Sequence, residues 1–342
     1  MESAIAVIPG DGIGPEVAEE AVRTLDALGL GLRFDVLDHV NATNFLRTGV
    51  PMEDHDVERV RQADSVLFGA VGDPRVQTPD YGAGVLLRLR RELNLYVNYR
   101  PVFLLDDRIS PLREERHRSL DCAVVRENTE GLYAGVGGTL RGGTPDEVAV
   151  DQEINTWLGV QRILDYAFTL ADREVCVVDK ANAVPFGGQL WTRCRRETAA
   201  RYPGTRVRHL YVDAAAMLLV ADPTQFDVIV TSNSYGDILS DLTAALAGGP
   251  GIAASANLNP GTGAGLFEPV HGSATALAGR DEANPVAAIL SAALLLESRG
   301  YRTEAARVRQ AVRTAVTARR CTRDIGGALG TRAAGQAIRA EL

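Results

Sequence analysis

The sequence predicts an α/β protein with a largely parallel or mixed sheet, and three observations carry that expectation. Short apolar, β-branched runs recur along the chain: IAVIP at the start, SVLFGA from Ser65, CAVVRE from Cys122, VCVVD from Val175 and FDVIV from Phe226. Stretches of helical periodicity separate them. Glycine-bearing turns join strand to helix, beginning with PGDGIGPEV.

Composition narrows the class. With 342 residues, 46% hydrophobic and 23% charged, the chain has room for two domains or one large α/β unit. The 36 Lys+Arg against 44 Asp+Glu give a net charge of -8, which argues against a nucleic-acid partner. An anionic substrate would therefore need a local arginine cluster. Cys122, Cys176, Cys194 and Cys321 lack CxxC spacing and read as reduced thiols of a cytoplasmic protein, and the five histidines form no HxxxH pair. The N-terminus enters a strand almost at once, so no signal peptide is expected. The longest apolar run, around Ala287 to Leu296, is too short for a membrane span and reads as a core helix.

Taken in order, the chain opens with a strand, a glycine turn and a helix. Gly10, Gly12 and Gly14 permit a tight turn, and Pro15 and Glu16 suit the first helical turn. The spacing is GxGxGP rather than GxGxxG, so the dinucleotide fingerprint is not met, and a phosphate cradle or a plain tight turn would both fit. Leu30 to Leu37 and Ser65 to Ala70 read as further strands. Asp73 to Gly84, rich in Gly, Pro and Asp, reads as a mobile loop beside a cleft. In GVLLRLRRELNLYVNYRPV, Leu86, Leu87 and Arg90 share a helix face, and Arg100 follows in a strand-like segment ended by Pro101. An apolar pair beside a guanidinium could read a substrate that is part aliphatic and part carboxylate. Solvated arginines on an amphipathic helix are the alternative.

Arg126 ends a buried strand, Tyr133 follows, and Gly135 to Ile154 looks like a protruding hairpin with no local core, of the kind that packs on another subunit. A helix spans Thr156 to Ala171. VCVVDKANAVPF ends a strand at Asp179 and Lys180. A lysine there is either a base of lowered pKa or an ordinary surface residue. Asp213 lies between a strand and a helix, where it could be an N-cap. The strand FDVIVTSN leads to Gly236, which should turn the chain into a helix carrying Asp237 and Asp241. These acids stand at i and i+4 on one face, beside an apolar stripe of Ile238, Leu242 and Leu246. They suit either a hard divalent cation or a helix dipole and solvent. A glycine-rich run then reaches FEPVHGSA, whose backbone NH groups could receive phosphates, and His271 and Asn284 could contact a base. Helices from Pro285, from Ala305 to Thr317 and at the C-terminus close the chain.

PGDGIGPEV, RRELNLYVNYRP, VVRENTEGLYAG, VDKAN, SYGDILSDL and FEPVHGSA occur in one order along nearly the whole chain. Together they resemble the β-decarboxylating dehydrogenases, the isocitrate/isopropylmalate dehydrogenase family, and within it most the isopropylmalate enzymes. The resemblance implies a two-domain fold with a mixed sheet that is not a Rossmann fold. Residues 1–98 and 249–342 would form a first domain with the cofactor loops. Residues 99–248 would form a second, with the dimer contact and an intersubunit arm at about 134–154. It implies a homodimer that shares its active sites, Mg2+ or Mn2+, and NAD. Arg90, Arg100 and Arg126 would clamp the malate carboxylates, with Leu86 and Leu87 on the alkyl group. Tyr133 and Lys180 would be the acid and base, joined by Asp213, and Asp213, Asp237 and Asp241 would hold the metal, Asp213 coming from the partner subunit alongside its Lys180. Ile13, Glu268, His271, Gly272, Asn284 and Asp324 would bind the dinucleotide. The expected reaction is oxidative decarboxylation of a 3-substituted malate, 3-isopropylmalate first, in the manner of leucine biosynthesis.

The chain departs from the family pattern at the cofactor and at the substrate. Ala276 replaces an acid that favours NAD, so NADP is an alternative, with Arg280, Arg320 and Arg323 as partners for its phosphate. Asp281 and Glu282 replace Gly-Ile. Ala83 and Ala183 replace a glutamate and a valine, which opens homoisocitrate, tartrate/D-malate or another 3-alkylmalate as substrates. A non-catalytic regulatory relative is the competing class, and the presence of Tyr133, Lys180, Asp213, Asp237 and Asp241 favours the enzyme.

Overall fold

The computed structural model describes residues 4–342. In chain order the elements begin with β1 (Ala4–Gly10), α1 (Gly14–Asp26), β2 (Arg33–Val36), α2 (Ala42–Thr48), α3 (Asp54–Gln62) and β3 (Ser65–Ala70). A helical run follows: α4 (Asp80–Gly82), a π-helical turn over Ala83–Leu87, and α5 (Arg88–Glu92). Next come β4 (Val97–Phe103), β5 (Asp121–Glu127), β6 (Gly137–Leu140), β7 (Val148–Asp151), α6 (Trp157–Leu170), β8 (Glu174–Asp179) and α7 (Pro185–Arg201). Then β9 (Arg206–Tyr211), α8 (Val212–Ala221), β10 (Val228–Thr231) and α9 (Asn233–Ala247) lead into β11 (Ala254–Asn259), β12 (Ala264–Pro269), α10 (Val286–Ser298), α11 (Arg302–Thr317) and α12 (Thr331–Arg339).

The chain forms two compact units, one of residues 1–95, 100–120 and 244–342, the other of residues 96–99 and 121–243. Where the sequence reading puts one block at 99–248, residues 100–120 group with the first unit. In the first unit the strands run β2-β1-β3-β12-β11. All these pairings are parallel except β11 with β12, so the sheet is mixed. Its core gathers Ile8, Leu37, Phe68, Tyr81, Leu89 and Leu266. Helix α10 is buried from Val286 to Leu296 and packs against α1, α11, β11 and β12. Ser291, the polar residue within that span, returns its hydroxyl proton to Ala287 O at 2.8 Å, which is how a hydroxyl is tolerated there.

In the second unit β5, β10, β8 and β9 are parallel, and the central strands are buried on both faces, as their unbroken Val/Ile runs require. β6 and β7 form a separate antiparallel hairpin whose residues are exposed throughout.

Several local expectations are corrected. The loop predicted over Asp73–Gly84 is helical from Asp80, because Tyr81 is buried and donates its hydroxyl to Asp11 Oδ2 at 2.7 Å. The second strand is shorter than Leu30–Leu37, and β4 runs through Pro101 to Phe103. Helix α9 starts at Asn233, not after Gly236. Of the expected apolar stripe, Leu246 is buried and Leu242 half-buried, whereas Ile238 is 63% exposed, so only its first residue is left uncovered within the chain.

Candidate active site

In the second unit, parallel strands deliver their C-terminal ends to one set of polar side chains. Arg126, near the end of β5, is 2% exposed. Its Nε donates to Asn233 Oδ1 at 2.8 Å, and its Nη1 pairs with Asp237. Helix α9 approaches closely enough for this only because residue 236 is glycine; a Cβ there would lie 2.6 Å from Arg126 Cβ and Cγ. Tyr133, in a short turn after β5, donates its hydroxyl to Asp237 Oδ2 at 3.2 Å, and Arg126 lies 5.5 Å from its ring centre. Burial, then the negative charge of Asp237, hold the Tyr133 pKa above the ordinary 10.0. The phenol thus holds its proton across the neutral range. Asp241 stands one helical turn beyond Asp237.

The adjacent parallel pair supplies a second cluster. Lys180 follows β8 directly, and Asp213 lies in the first turn of α8, after β9. The two form an ion pair. The Lys180 hydrogen bond holds the Asp213 carboxyl below the usual carboxylate value. The turn that presents Lys180 is fixed by Asp179, 5% exposed, which accepts from Ala181 N at 3.0 Å and lies 2.9 Å from His209 Nε2. Asp213 does not join Asp237 and Asp241 within the single chain: among the described residues, the one group of three ligand-type side chains gathered together lies in the first unit.

In the first unit Arg90 is 7% exposed and donates to Glu268 Oε1 at 3.0 Å; Asn257 Nδ2 reaches the same oxygen at 2.8 Å. Arg90 Nε is buried without an acceptor among the described residues. Arg100 is buried on β4, and Leu86 and Leu87 are half-buried in the π-helical turn. His271 Nδ1 faces Gly272 O at 2.9 Å. A carbonyl only accepts, so this nitrogen carries the proton and Nε2 is left as an acceptor. That Nε2 is buried and unpartnered among the described residues, and burial lowers the imidazole pKa, keeping it neutral. Asn284 Oδ1 caps α10 through Val286 N at 3.0 Å, and its Nδ2 donates to Asp324 at 2.8 Å. Ile13 N donates to Ser273 O at 2.8 Å, tying the glycine turn to the loop that carries His271 and Gly272. Gly12 serves that contact: its φ is +59°, and a side chain would run into Ser273 O.

The sequence matches the model of the isocitrate/isopropylmalate dehydrogenase family over residues 4–338. The chain belongs to this family. It is 48% identical over 316 residues to the 3-isopropylmalate dehydrogenase of Thermobifida fusca, covering 90% of this chain and 89% of the relative. It is 47% identical to that of Leifsonia xyli, with 96% and 98% covered. Among solved structures it superposes on isocitrate dehydrogenase from Methylococcus capsulatus with a TM-score of 0.90, 35% identity and 99% of both chains covered. A β-decarboxylating dehydrogenase from Thermococcus kodakarensis gives 0.81 and 37%, covering 99% of this chain and 96% of that one. The protein is therefore an oxidoreductase of the decarboxylating dehydrogenase type. No helix among the described residues is long and apolar enough to cross a membrane.

The family motifs of this dehydrogenase contain working residues that sequence reasoning passed over. Asp11, within PGDGIGP, is buried and accepts from Ala42 N at 2.7 Å, Gly72 N at 2.9 Å and the Tyr81 hydroxyl. It thereby ties the glycine turn to the start of the helical run that carries Leu86, Leu87 and Arg90. Asn233 orients Arg126, and Asp179 with His209 orients Lys180. Asp11 and Asp179 stand inside the motifs and Asn233 and His209 outside them; only their contacts give them roles.

Proposed function

We propose that the protein oxidatively decarboxylates a 3-substituted malate, 3-isopropylmalate first, with NAD as hydride acceptor and Mg2+ or Mn2+ as cation, and that it works as a homodimer. The observation that carries this reading is the pairing of each acid–base candidate with a carboxylate: Tyr133 with Asp237, and Lys180 with Asp213. The names of the relatives point to the substrate.

The residues fit the groups they would hold. Asp213, Asp237 and Asp241 offer hard carboxylate oxygens. The unpartnered His271 Nε2 is an acceptor for an adenine amino group, and the unpartnered Arg90 Nε is a donor for a substrate carboxylate. When bound, the cation polarises the C2 hydroxyl and the nicotinamide takes the hydride. Lys180, as the neutral amine, takes the hydroxyl proton as C2 becomes a ketone. Arg90, Arg100 and Arg126 hold the carboxylates, and the 3-carboxylate leaves as CO2. Tyr133, kept protonated by its surroundings, gives its proton to C3. The products are a 2-oxo acid, CO2 and the reduced dinucleotide.

A second copy of the chain is supported by the apolar residues the second unit leaves exposed: Met217 at 64% and Val220 at 53% on α8, and Ile238 at 63% on α9. It would also bring an Asp213 to Asp237 and Asp241. NAD is favoured over NADP by Glu282. A cleft of about 350 Å3 is lined by Leu277, Arg280, Glu282, Arg323 and Asp324 among others. Asp324 is committed to Asn284 and Thr322, and Asp281, also in the lining, accepts from Arg332 N at 2.9 Å, which leaves Glu282 as a carboxylate for a ribose hydroxyl. Arg280 and Arg323 would serve a 2′-phosphate instead. Ala83 supports a second reading, a malate with a different 3-substituent, since one methylene changes selectivity by only about 1–3 kcal/mol.

The deciding experiment is a panel of 3-substituted malates with Mn2+ and each dinucleotide, read by reduced-dinucleotide absorbance, with sedimentation to give the oligomer. The expected result is the highest kcat/KM for 3-isopropylmalate with NAD, in a dimer. Ligand binding without turnover on any member would place the protein with non-catalytic relatives.

A further inference from the structure

The first unit holds a cluster that the dehydrogenase reaction does not use. His39 follows β2, and His55 and Asp56 lie in the first turn of α3. Asp56 is fully buried. Its Oδ2 lies 2.8 Å from His39 Nε2 and its Oδ1 3.3 Å from His55 Nε2. The two imidazoles are nearly parallel, 13° between planes with centroids 6.5 Å apart. One ligand atom from each of the three residues can be chosen so that all lie within 4.8 Å of one another. We propose that His39, His55 and Asp56 form a binding site for a borderline-soft divalent transition metal of the Zn2+ kind, separate from the carboxylate site that serves catalysis.

The donor set distinguishes the two sites. Two imidazole nitrogens and one carboxylate match Zn2+, which binds histidine nitrogen at about 2.0–2.1 Å, whereas Mg2+ takes oxygen ligands. Asp56 is a rigid donor, fixed in a helix and buried, while the imidazoles, 40% and 69% exposed as side chains, leave a metal room to enter and an open coordination position.

The local charge favours a cation. Arg59 is the nearby positive group: its Nη1 donates to Asp56 Oδ1 at 3.3 Å while its Nε and Nη2 hold Asp35, so the oxygen left to a metal is Oδ2, the one beside His39. Asp38 adds a further negative charge, with Oδ1 3.9 Å from His39 Nδ1. Without metal, His39 Nε2 carries a proton toward Asp56 Oδ2 at 2.8 Å, because a carboxylate only accepts. Metal binding at Nε2 needs that nitrogen's lone pair, so the proton leaves it, for Nδ1 of a neutral ring or for solvent from a charged one. For His39, Asp38 then lies on the Nδ1 side as a nearby negative charge rather than a hydrogen-bond partner.

The test uses untagged full-length protein, stripped with chelator and equilibrated with zinc in excess magnesium, so that the catalytic carboxylates are occupied by the harder ion. Competition with a chromophoric chelator counts bound zinc. Wild type should hold one zinc per chain more than His39→Ala/His55→Ala, and His55→Gln should weaken that site by at least about tenfold. Cobalt in place of zinc should give visible ligand-field absorption in wild type that the double variant lacks. Circular dichroism and Mn2+-dependent dehydrogenase activity, unchanged in the double variant, would show that it folds. Equal zinc content and equal cobalt spectra in a folded double variant would overturn the proposal and leave the cluster as a hydrogen-bonded support for Asp56.

Discussion

Replacing Tyr133 with phenylalanine tests the proposed division of labour most directly. The variant loses one hydroxyl, 3.2 Å from Asp237 Oδ2, in a ring that is 44% exposed. Asp237 keeps its Arg126 partner, so the local structure should hold. If the phenol delivers the proton to C3, its removal takes away a positioned general acid, an effect of about 10²–10⁴ in rate. We expect kcat to fall by about 10²–10³, equivalent to about 2.7–4 kcal/mol of barrier, with KM changed by less than about threefold. The pH profile gives a second readout. The tyrosine pKa lies above 10.0, so the acid form persists across the neutral range, and activity dependent on it is lost only as pH rises through that raised value. In deuterated water, wild type should label C3 on one face, and Tyr133→Phe should label both. A variant with kcat within about threefold of wild type and stereospecific labelling would refute the assignment.

Three further substitutions probe the rest of the site. Lys180→Met should lower turnover by at least about 10³ while the thermal midpoint stays put, because its partner Asp213 is exposed and such pairs contribute little; retained turnover would remove Lys180 as the base. Asp241→Asn should raise the Mn2+ concentration for half-maximal activity by at least about tenfold, and an unchanged metal titration would exclude it from the ligand set. Gly236→Ala places a Cβ 2.6 Å from the Arg126 side chain, so kcat/KM should drop by about 10–100-fold, as for a clamp displaced by up to an ångström. Wild-type kinetics there would show that the helix can yield without moving Arg126.

The parts of the fold legible in the sequence are those set by local pattern. SVLFGA is β3 residue for residue, and the glycine-flanked VAV segment is one arm of the β6–β7 hairpin. The misreadings share a cause, in that the deciding partner lies far away in the chain. Gly236 looked like a turn because glycine most often signals positive φ. Here it makes room for Arg126, 110 positions earlier in the sequence, and those two uses look alike in one dimension. The Gly- and Asp-rich stretch before Leu86 looked like a loop because the buried contact from Tyr81 to Asp11 was not visible. The stripe on α9 was found by its spacing, but spacing does not say what covers it. His39, His55 and Asp56 had no spacing motif to find, since the imidazoles meet only when the loop after β2 reaches α3.

The carboxylates proposed as metal ligands also contact the proposed acid and base, Asp237 with Tyr133 and Asp213 with Lys180, and this coupling has a measurable consequence. The charge of Asp237 is one of the causes that raise the Tyr133 pKa, whereas Arg126 lowers it. Neutralising Asp237 while keeping its size should therefore bring the phenol pKa down, making Tyr133 a stronger acid at the moment the carboxylate is engaged elsewhere. Asp237→Asn mimics that neutralisation without any ion. Ultraviolet difference absorbance during an alkaline titration, with Tyr133→Phe subtracted to remove the other eight of the nine tyrosines, reads the phenol directly. The expected result is a lower midpoint for Tyr133 in Asp237→Asn than in wild type. A midpoint unmoved by the substitution would mean that burial and the charge of Asp241 hold the proton on Tyr133, and that the proposed acid is not tuned through the carboxylate it touches.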